Sequence, residues 1–245
     1  MSSRYSVIHK MFPHVYKLRD NYHGHYVISK NYGDKNLIKH ELNNLQTVDA
    51  LKNKKTNIHF QKPYLEPISK DLYSIQTYYV PGNDLLLYYH LKKYLREDTL
   101  KYLIDNIYCG IKILQKNNLV HCDIKPENIV FEEKTKKITI IDFYSLKYVE
   151  KYRNCDRIQG TRRYMSPELK YKNQIHINSD LWSLGITAAV LSIGFNPFQR
   201  HGVNYSNVQH YTRQLLEQDY SKDYINTICN LLHTNPEDRK FIHFK

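Results

Sequence analysis

The sequence predicts an α+β protein in which a small β-rich N-terminal lobe precedes a larger, mainly α-helical C-terminal lobe. Up to about residue 80, short apolar runs of strand length alternate with turn residues and enclose one helical stretch. Beyond Pro81 and Gly82, apolar residues recur mostly at helical spacing. With 245 residues, of which 41% are hydrophobic, the chain can bury a substantial core.

The predicted elements follow from these periodicities. The first lobe has three strand-like runs, at Val15–Leu18, His25–Ser29 and Leu72–Tyr79. A helix is predicted between the last two, because one face collects the apolar residues Leu37, Leu42, Leu45 and Val48. A longer helix is predicted over Glu97–Asn117, whose apolar residues are Leu100, Leu103, Ile104, Ile107, Ile111 and Leu114. Two further strand-like runs lie beside polar loops, at Ile129–Phe131 and Ile138–Ile141. Such loops often carry chemistry.

Composition excludes several classes of protein. The longest apolar run, Gly185–Phe195, is too short to cross a bilayer, and Met1–Lys10 does not look like a targeting segment, so a soluble protein without a membrane partner is expected. The four cysteines lie far apart, which argues against a zinc site or a disulfide framework and favours an intracellular location, cytoplasmic or nuclear. The formal charge of +12 is spread along the chain without a basic tail, so nucleic-acid binding is not favoured.

One polar loop carries an ordered set of chemical groups. The segment His121–Asn128, HCDIKPEN, resembles the catalytic loop of protein kinases, HRDxKPEN, with Cys122 in place of arginine. The resemblance implies that Asp123 orients the attacking hydroxyl and accepts its proton, that Asn128 binds a Mg²⁺ ion, and that Lys125 neutralises the γ-phosphate, as in serine/threonine kinases. An aspartate and an asparagine in a polar loop are more often turn formers, but the eight-residue match is specific.

A second motif, Asp142-Phe143-Tyr144, resembles the DFG motif of the same family. The resemblance implies that Asp142 holds the Mg²⁺ that bridges the β- and γ-phosphates. Tyr144 replaces the glycine of the motif, and glycine adopts backbone angles that tyrosine resists. We therefore expect this segment to move less readily between alternative states.

Two further segments extend the resemblance. Gly160–Glu168, GTRRYMSPE, is similar to the end of the kinase activation segment, which implies that Thr161 positions Asp123 and Lys125. Glu168 is then expected to pair with Arg239 in a buried ion pair. Ser179–Gly185, SDLWSLG, resembles the start of a central helix whose aspartate, Asp180, braces the catalytic-loop backbone.

The first lobe matches the family less closely. Val27–Lys30 is similar to the strand that carries the ATP-phosphate lysine, Lys30, and Glu41 fits the helix glutamate that orients it, although most lysines and glutamates in a charged chain are solvated. Aligning Val15 with the valine of GxGxxGxV places Ile8, Lys10 and Pro13 at the three glycine positions. The phosphate grip should therefore be weak, with Lys10 supplying charge.

The family resemblance also assigns the adenine contacts. It implies that Val15 and Ile28 lie above the base and Val130 below it, although each of these residues is more often simply part of a core. It places the backbone of Tyr78 and Val80 in a hinge at about residues 78–84, with Thr77 at the position called the gatekeeper.

The whole resemblance, from about Tyr5 to Arg239, is to a eukaryotic-type serine/threonine protein kinase catalytic domain. It implies a bilobal protein-kinase-like fold in one domain over residues 1–245, with an N-lobe at about 1–80 and a C-lobe at about 85–245. It also implies ATP and Mg²⁺ as cofactors and protein serine or threonine as acceptor. The alternatives are a pseudokinase that binds nucleotide or a partner without catalysis, a small-molecule phosphotransferase, and a nucleic-acid-binding module.

Charge around the expected acceptor site suggests the substrate class. Only Asp84 is available as a carboxylate for basic substrates, whereas Arg162 and Arg163, together with Arg153 and Arg157, would favour acidic or already phosphorylated protein substrates. Alternatively, Glu150 and Asp156 neutralise these arginines, or water solvates them. The segment between Ser145 and Thr161 contains no serine or threonine, so no phosphate on either residue type is expected there to activate the protein.

Overall fold

The structure is a computed structural model that describes residues 4–51, 57–64, 74–149, 159–198 and 205–244, with the side chains of 205–207 excepted. These residues belong to two compact units. The first unit comprises Met1–Lys54, Phe60–Pro81 and Ile141–Tyr144, and the second comprises Lys55–His59, Gly82–Ile140 and Ser145–Lys245.

The described strands are β1 (Tyr5–Phe12), β2 (Val15–Asp20), β3 (Tyr26–Asn31), β4 (Ile58–Phe60), β5 (Ser74–Tyr78), β6 (Asn83–Asp84), β7 (Leu119–Val120), β8 (Ile129–Glu132), β9 (Lys137–Ile140) and β10 (Lys147–Tyr148). The described α-helices are α1 (Lys35–Asp49), α2 (Leu85–Lys92), α3 (Glu97–Lys116), α4 (Pro167–Lys172), α5 (Ser179–Ile193), α6 (Tyr205–Glu217) and α7 (Lys222–Leu231). Short 3₁₀ turns cover Pro126–Asn128 and Pro236–Asp238.

The first unit is built on an antiparallel sheet in the order β1-β2-β3-β5. Its core contains Leu18, Val27 and Tyr64, which pack together. Helix α1 begins after Asp34, whose side chain accepts a hydrogen bond from the backbone N–H of Asn36 and so caps the helix. The buried face of α1 carries Glu41, Leu45 and Val48, at helical spacing.

The β1–β2 hairpin contains the residues that were aligned with the three glycines of the family's phosphate loop. Phe12 pairs with Val15, so Pro13 and His14 alone form the turn. His14 has a φ of 66°, and proline followed by a residue of positive φ suits a type II turn. Ile8 and Lys10, aligned with two of the glycines, lie within β1. The chain here is a tight hairpin.

The second unit is organised around α5. Residues Ser179–Ser192 of this helix are all buried, which explains why most of its side chains are apolar. The α3 face that was predicted from periodicity is buried, and α3 and α7 both pack against α5. Four short strands form a second sheet in the order β4-β9-β8-β6, and β7 pairs with β10.

The predicted elements agree with the structure to within a few residues at their ends. The helices predicted at Leu37–Val48 and Glu97–Asn117 are α1 and α3, and the predicted strand at Leu72–Tyr79 is β5, with residues 72 and 73 outside the described part of the chain. Among the described residues, no helix is both long enough and apolar enough to span a bilayer.

Candidate active site

The side chain of Asp180 on α5 holds the polar loop between β7 and β8 through hydrogen bonds to the loop backbone. Its two carboxylate oxygens accept hydrogen bonds from the backbone N–H groups of His121, at 2.7 Å, and Cys122, at 3.0 Å. Asp180 is almost fully buried, and this burial raises the pKa of its carboxyl group. The bracing contact that the sequence predicted for Asp180 is therefore present.

Three residues of the second unit contact the carboxylate of Asp123. Thr161 donates its backbone N–H to Oδ1 at 2.7 Å, and Lys125 donates its ammonium group to Oδ2 at 2.8 Å. The same ammonium group donates to the hydroxyl of Thr161 at 2.7 Å. Asn128 donates its side-chain N–H₂ to the backbone carbonyl and to Oδ2 of Asp123, both at 2.9 Å. The orientation of the Asp123 carboxylate is thus fixed from several sides.

The second unit also offers an oxygen ligand. The amide nitrogen of Asn128 is committed to Asp123, and its Oδ1 accepts no hydrogen bond within the described part of the chain. A carboxamide oxygen of this kind is a suitable ligand for Mg²⁺. The described residues contain no cluster of three or more histidine, cysteine, aspartate or glutamate side chains. Mg²⁺ commonly takes one or two protein oxygens and completes its shell with water and phosphate.

The first unit holds a second group of charged side chains, formed by Lys30, Glu41 and Asp142. The ammonium group of Lys30 lies 3.1 Å from Oε1 of Glu41 and 2.9 Å from Oδ1 of Asp142. Burial alone would lower the pKa of Lys30, but the carboxylates of Asp142 and Glu41 outweigh it and raise that pKa. Lys30 therefore stays cationic. About a third of the Asp142 side chain is exposed, at 35%, so this carboxylate is accessible to a metal ion.

Tyr32 is a member of this group that the sequence interpretation missed. Its hydroxyl donates to Oε2 of Glu41, the carboxylate oxygen that Lys30 leaves free. Burial, followed by the charge of Glu41, raises the pKa of the Tyr32 hydroxyl, so it remains a donor. In the sequence, the only indication that Tyr32 lies near Glu41 was its position two residues after Lys30, because alternate residues of an extended chain point to the same side.

The backbone of the Asp142–Tyr144 segment shows which of its residues takes the positive φ. The residue with positive φ is Asp142, at 66°, and Tyr144 is not among the described residues of positive φ. Tyrosine at this position therefore requires no glycine-like backbone. Phe143 is fully buried, with its ring edge-on to that of Phe60 at 5.7 Å.

The residues predicted to surround adenine are placed as follows. Register pairs Val15 with Lys30 and Lys17 with Ile28, so Val15, Ile28 and Lys30 share one face of the first sheet. Tyr78 is the last residue of β5 and donates its backbone N–H to the carbonyl of Lys62 at 3.1 Å. Val80 lies two residues further along the chain, beyond the end of the strand.

Two of the predicted nucleotide contacts are not part of this face of the first sheet. Val130 is a buried residue of β8 in the second unit. Lys10 pairs with Tyr16, and its ammonium group lies 5.9 Å from the Tyr16 ring centroid.

The ion pair predicted between Glu168 and Arg239 is present. Nη1 of Arg239 lies 2.6 Å from Oε1 of Glu168, and Nη2 lies 2.7 Å from Oε2. Burial opposes ionisation of Glu168, but the adjacent guanidinium outweighs it and lowers the pKa of the carboxyl group. This bidentate pair ties the start of α4 to the 3₁₀ turn near the C-terminus.

A cavity of about 250 Å³ lies beside the segment that follows Thr161. Its lining combines an apolar floor with cationic side chains and consists of Arg162, Arg163, Met165, Pro167, Lys170, Tyr171, Trp182, Ile186, Phe198 and Thr234. Arg163 pairs with Glu127 at 2.9 Å, and its backbone carbonyl accepts a hydrogen bond from Asn196 at 3.0 Å. Arg153, Arg157, Glu150 and Asp156, which the sequence interpretation grouped with these arginines, lie outside the described residues.

Comparison with known proteins identifies the family. The protein kinase domain family matches residues 11–243. A meiosis-specific serine/threonine-protein kinase, mek1 of Schizosaccharomyces pombe, is 28% identical over 214 residues, or 82% of this chain and 46% of that protein. The DNA damage response protein kinase DUN1 of Saccharomyces cerevisiae is 28% identical over 208 residues, covering 72% of this chain and 39% of that protein.

A third relative is the inhibitor of nuclear factor kappa-B kinase subunit beta of Rattus norvegicus. It is 32% identical over 133 residues, which cover 52% of this chain and 18% of that protein. The chain thus spans less than half the length of each of these three relatives. The family match over nearly all of the sequence, together with the bilobal α+β architecture, shows that this chain belongs to the protein kinase domain family and is a catalytic domain of the serine/threonine kinase type.

Proposed function

We propose that this domain is an active enzyme that transfers the γ-phosphate of ATP to serine or threonine hydroxyls of proteins. The observation that carries the proposal is the carboxylate of Asp123, held by the Thr161 N–H and by the Lys125 ammonium group. The domain is proposed to be single, with an N-lobe at about 1–80, a hinge at about 78–84 and a C-lobe at about 85–245. The unpaired thiols of Cys109 and Cys229 favour an intracellular location.

The proposed roles follow from the contacts. Asp123 accepts the proton of the acceptor hydroxyl while Thr161 and Asn128 keep its carboxylate in place. Lys125, which lies between Asp123 and the Thr161 hydroxyl, neutralises charge on the transferred group.

The remaining proposed roles concern the nucleotide and its metal. Lys30, oriented by Glu41, binds the ATP phosphates, and the face of Val15 and Ile28 receives the base. Asp142 and Asn128 offer oxygen ligands for Mg²⁺, which when bound neutralises phosphate charge.

A second candidate function is a pseudokinase that binds nucleotide or a partner without catalysis. The tight β1–β2 hairpin favours it, because Pro13 has no N–H and the strand residues around it do not form a glycine cradle for phosphate. Phosphoryl transfer depends mainly on positioning and charge, however. Because Lys30, Asp123, Lys125 and Asn128 are all held by close contacts, we favour the active enzyme.

The experiment is a radiolabelled ATP transfer assay against generic protein substrates, combined with the thermal shift caused by Mg²⁺-ATP. Asp123→Asn and Asp142→Asn should each abolish transfer, and Asp142→Asn should also remove the Mg²⁺-dependent part of the shift. Asp219→Asn is the matched control, since this exposed residue has a φ of 60°, which asparagine also tolerates. A wild-type domain with neither transfer nor shift would refute the enzyme, and a shift without transfer would favour the pseudokinase.

We also propose that the protein substrates are acidic or already phosphorylated near the acceptor. Arg162, Arg163 and Lys170 line the cavity beside Thr161, and none of the described residues that line it carries a carboxylate. Asp84 is less available to basic substrates than the sequence suggested, because its carboxylate caps α2 by accepting the Leu87 N–H at 2.9 Å. The ion pair between Arg163 and Glu127 is the opposing observation, since it neutralises one of the cations.

A positional peptide library tests this proposal. Enrichment of aspartate, glutamate or phosphoserine next to the acceptor is expected, and Lys170→Glu should reduce it. Lys172→Glu is the matched control, because Lys172 lies on the same helix, exposed and outside the cavity lining. Selection for arginine or lysine without any selection for acidic residues would contradict the proposal.

A further inference from the structure

A buried glutamine links the backbone of Asp142 to the side chain of Thr77. Gln61 directly follows β4 and is 6% exposed, while Thr77 on β5 is 3% exposed. Oε1 of Gln61 accepts the backbone N–H of Asp142 at 3.2 Å, and Nε2 of Gln61 donates to Oγ1 of Thr77 at 2.8 Å. All three residues belong to the first unit.

The chemistry of the bonded groups fixes how the amide of Gln61 is oriented between Asp142 and Thr77. A backbone N–H can only donate, so the glutamine atom facing Asp142 must be its carbonyl oxygen. The amide nitrogen therefore faces Thr77, and the hydroxyl oxygen of Thr77 must accept. Because both side chains are buried, water cannot easily replace either partner.

The hydrogen bond from the Asp142 N–H to Gln61 matters because it helps to set the orientation of Asp142. Asp142 has a φ of 66°, which is uncommon for a residue other than glycine. Lys30 holds its carboxylate at 2.9 Å, and Gln61 holds its backbone N–H. The direction in which a carboxylate points depends on both its backbone and its side chain, so two independent contacts define it.

We propose that Gln61 is a positioning residue for Asp142, and that the hydroxyl of Thr77 orients Gln61 for this purpose. The proposal rests on the proposed function, in which Asp142 binds Mg²⁺ with the nucleotide. Partners that orient a metal ligand typically contribute a factor of about 10 to 100 in metal affinity. Gln61 touches neither substrate nor metal and acts only through Asp142.

The test compares three variants of the whole chain. Gln61→Met keeps the length of the side chain and removes both hydrogen bonds. Thr77→Val keeps the shape of the side chain and removes only the acceptor for Nε2, whereas Thr77→Ser retains a hydroxyl. Gln76→Met is the matched control, because Gln76 is also a buried glutamine of the first unit, and its side chain donates to Ser74 at 2.6 Å.

The first measurement is ATP affinity by titration calorimetry, with Mg²⁺ and with a chelator. Gln61→Met should weaken the Mg²⁺-dependent affinity about tenfold and leave the affinity in chelator within about twofold. Thr77→Val should shift the affinity in the same direction by less, and Thr77→Ser should recover the wild-type value. Equal losses with and without Mg²⁺, or losses as large in Gln76→Met, would mean a merely structural role and overturn the proposal.

The second measurement is hydrogen exchange at the Asp142 amide, which needs neither ATP nor metal. Gln61→Met should speed this exchange about tenfold, and Gln76→Met should leave it unchanged. Unchanged exchange in Gln61→Met overturns the positioning role, even if transfer activity falls. If the wild type shows no Mg²⁺-dependent affinity, the proposed function fails, and the exchange at Asp142 still decides whether Gln61 positions this residue.

Discussion

Arg239 shows how much a single side chain organises in the second unit. Besides its two contacts with Glu168, its guanidinium group donates to the backbone carbonyls of His233 at 2.8 Å, Thr234 at 3.2 Å and Asn178 at 3.2 Å. Its face also lies over the ring of Trp182, with 5.2 Å between the guanidinium carbon and the ring centroid. Because the charge is buried, the Glu168 carboxylate that compensates it is essential to stability.

Glu168→Gln should lower the free energy of unfolding by about 3–5 kcal/mol at pH 7, because it leaves the Arg239 cation buried without its counter-charge. Glu237→Gln is the control, because Glu237 is 74% exposed and pairs with His176. Loss of this exposed ion pair should lower the free energy of unfolding by less than about 1 kcal/mol. Urea unfolding measures both values. Equal effects of the two variants would contradict the importance of burial.

The same pair predicts a pH dependence. The folded protein lowers the pKa of Glu168 below its ordinary value of 4.5, so the pair stabilises fully above pH 4.5. That contribution should disappear as the pH falls through the lowered pKa of the folded state. Urea unfolding of the wild type and of Glu168→Gln should therefore converge in acid, and a constant difference down to low pH would contradict the assignment.

At the scale of elements, helix α1 holds the Asp142–Tyr144 segment through its polar side chains. His40 donates from Nε2 to the carbonyl of Tyr144 at 3.0 Å, and Asn44 donates to the carbonyl of Phe143 at 2.8 Å. The Tyr144 ring stacks on Tyr32 with 6.3 Å between centroids and lies edge-on to His40 at 5.8 Å. A tyrosine in place of the glycine thus fastens the segment to α1.

Tyr144→Gly should loosen this segment. The substitution removes the ring contacts, which are worth about 0.5–1.5 kcal/mol for an aromatic pair, so hydrogen exchange over residues 142–144 should accelerate about threefold to tenfold. Tyr144→Phe keeps the ring and should exchange almost as slowly as the wild type. Unchanged exchange in Tyr144→Gly would show that the backbone contacts of His40 and Asn44 suffice.

At the scale of the whole molecule, Cys122 occupies the position at which many kinases have an arginine that binds an activating phosphate. Here this position is buried in an apolar core. Cys122 is 2% exposed and belongs to an apolar cluster with Val120, Leu169 and Ile175. A buried thiol offers no cation to a phosphate. The catalytic loop is instead braced by Asp180, and Asp123 is held by Thr161 and Lys125.

We therefore expect transfer activity without phosphorylation of the activation segment, of which residues 150–158 lie outside the described part. Treatment with a broad-specificity phosphatase, followed by mass spectrometry to verify removal, should leave the transfer rate unchanged. Loss of most of the activity would contradict this expectation and would point to Tyr148 or Tyr152, since the sequence offers no serine or threonine there.

The sequence alone determined the features whose information is local. Hydrophobic spacing predicted α1, α3 and three of the four strands of the first sheet, because burial of one face imposes a period on consecutive residues. Strand β1 was not predicted, since its residues were aligned with the phosphate loop of the family. The resemblance of the segment His121–Asn128 to the kinase catalytic loop, an ordered match over eight consecutive residues, predicted the members of the Asp123 loop. Distant motifs also predicted Glu168 with Arg239, and Asp180 with the loop backbone, through their resemblance to a known family.

Only the tertiary structure decided the contacts that have no local signal. Gln61 meets Thr77 sixteen residues away and Asp142 eighty-one residues away, and no periodicity or motif marks it. The sequence also did not show that the positive φ of the Asp142–Tyr144 segment falls on Asp142, or that β1 and β2 are joined by a tight hairpin at Pro13 and His14. These contacts and backbone angles depend on which distant side chains pack against each other, and only the tertiary structure determines that packing.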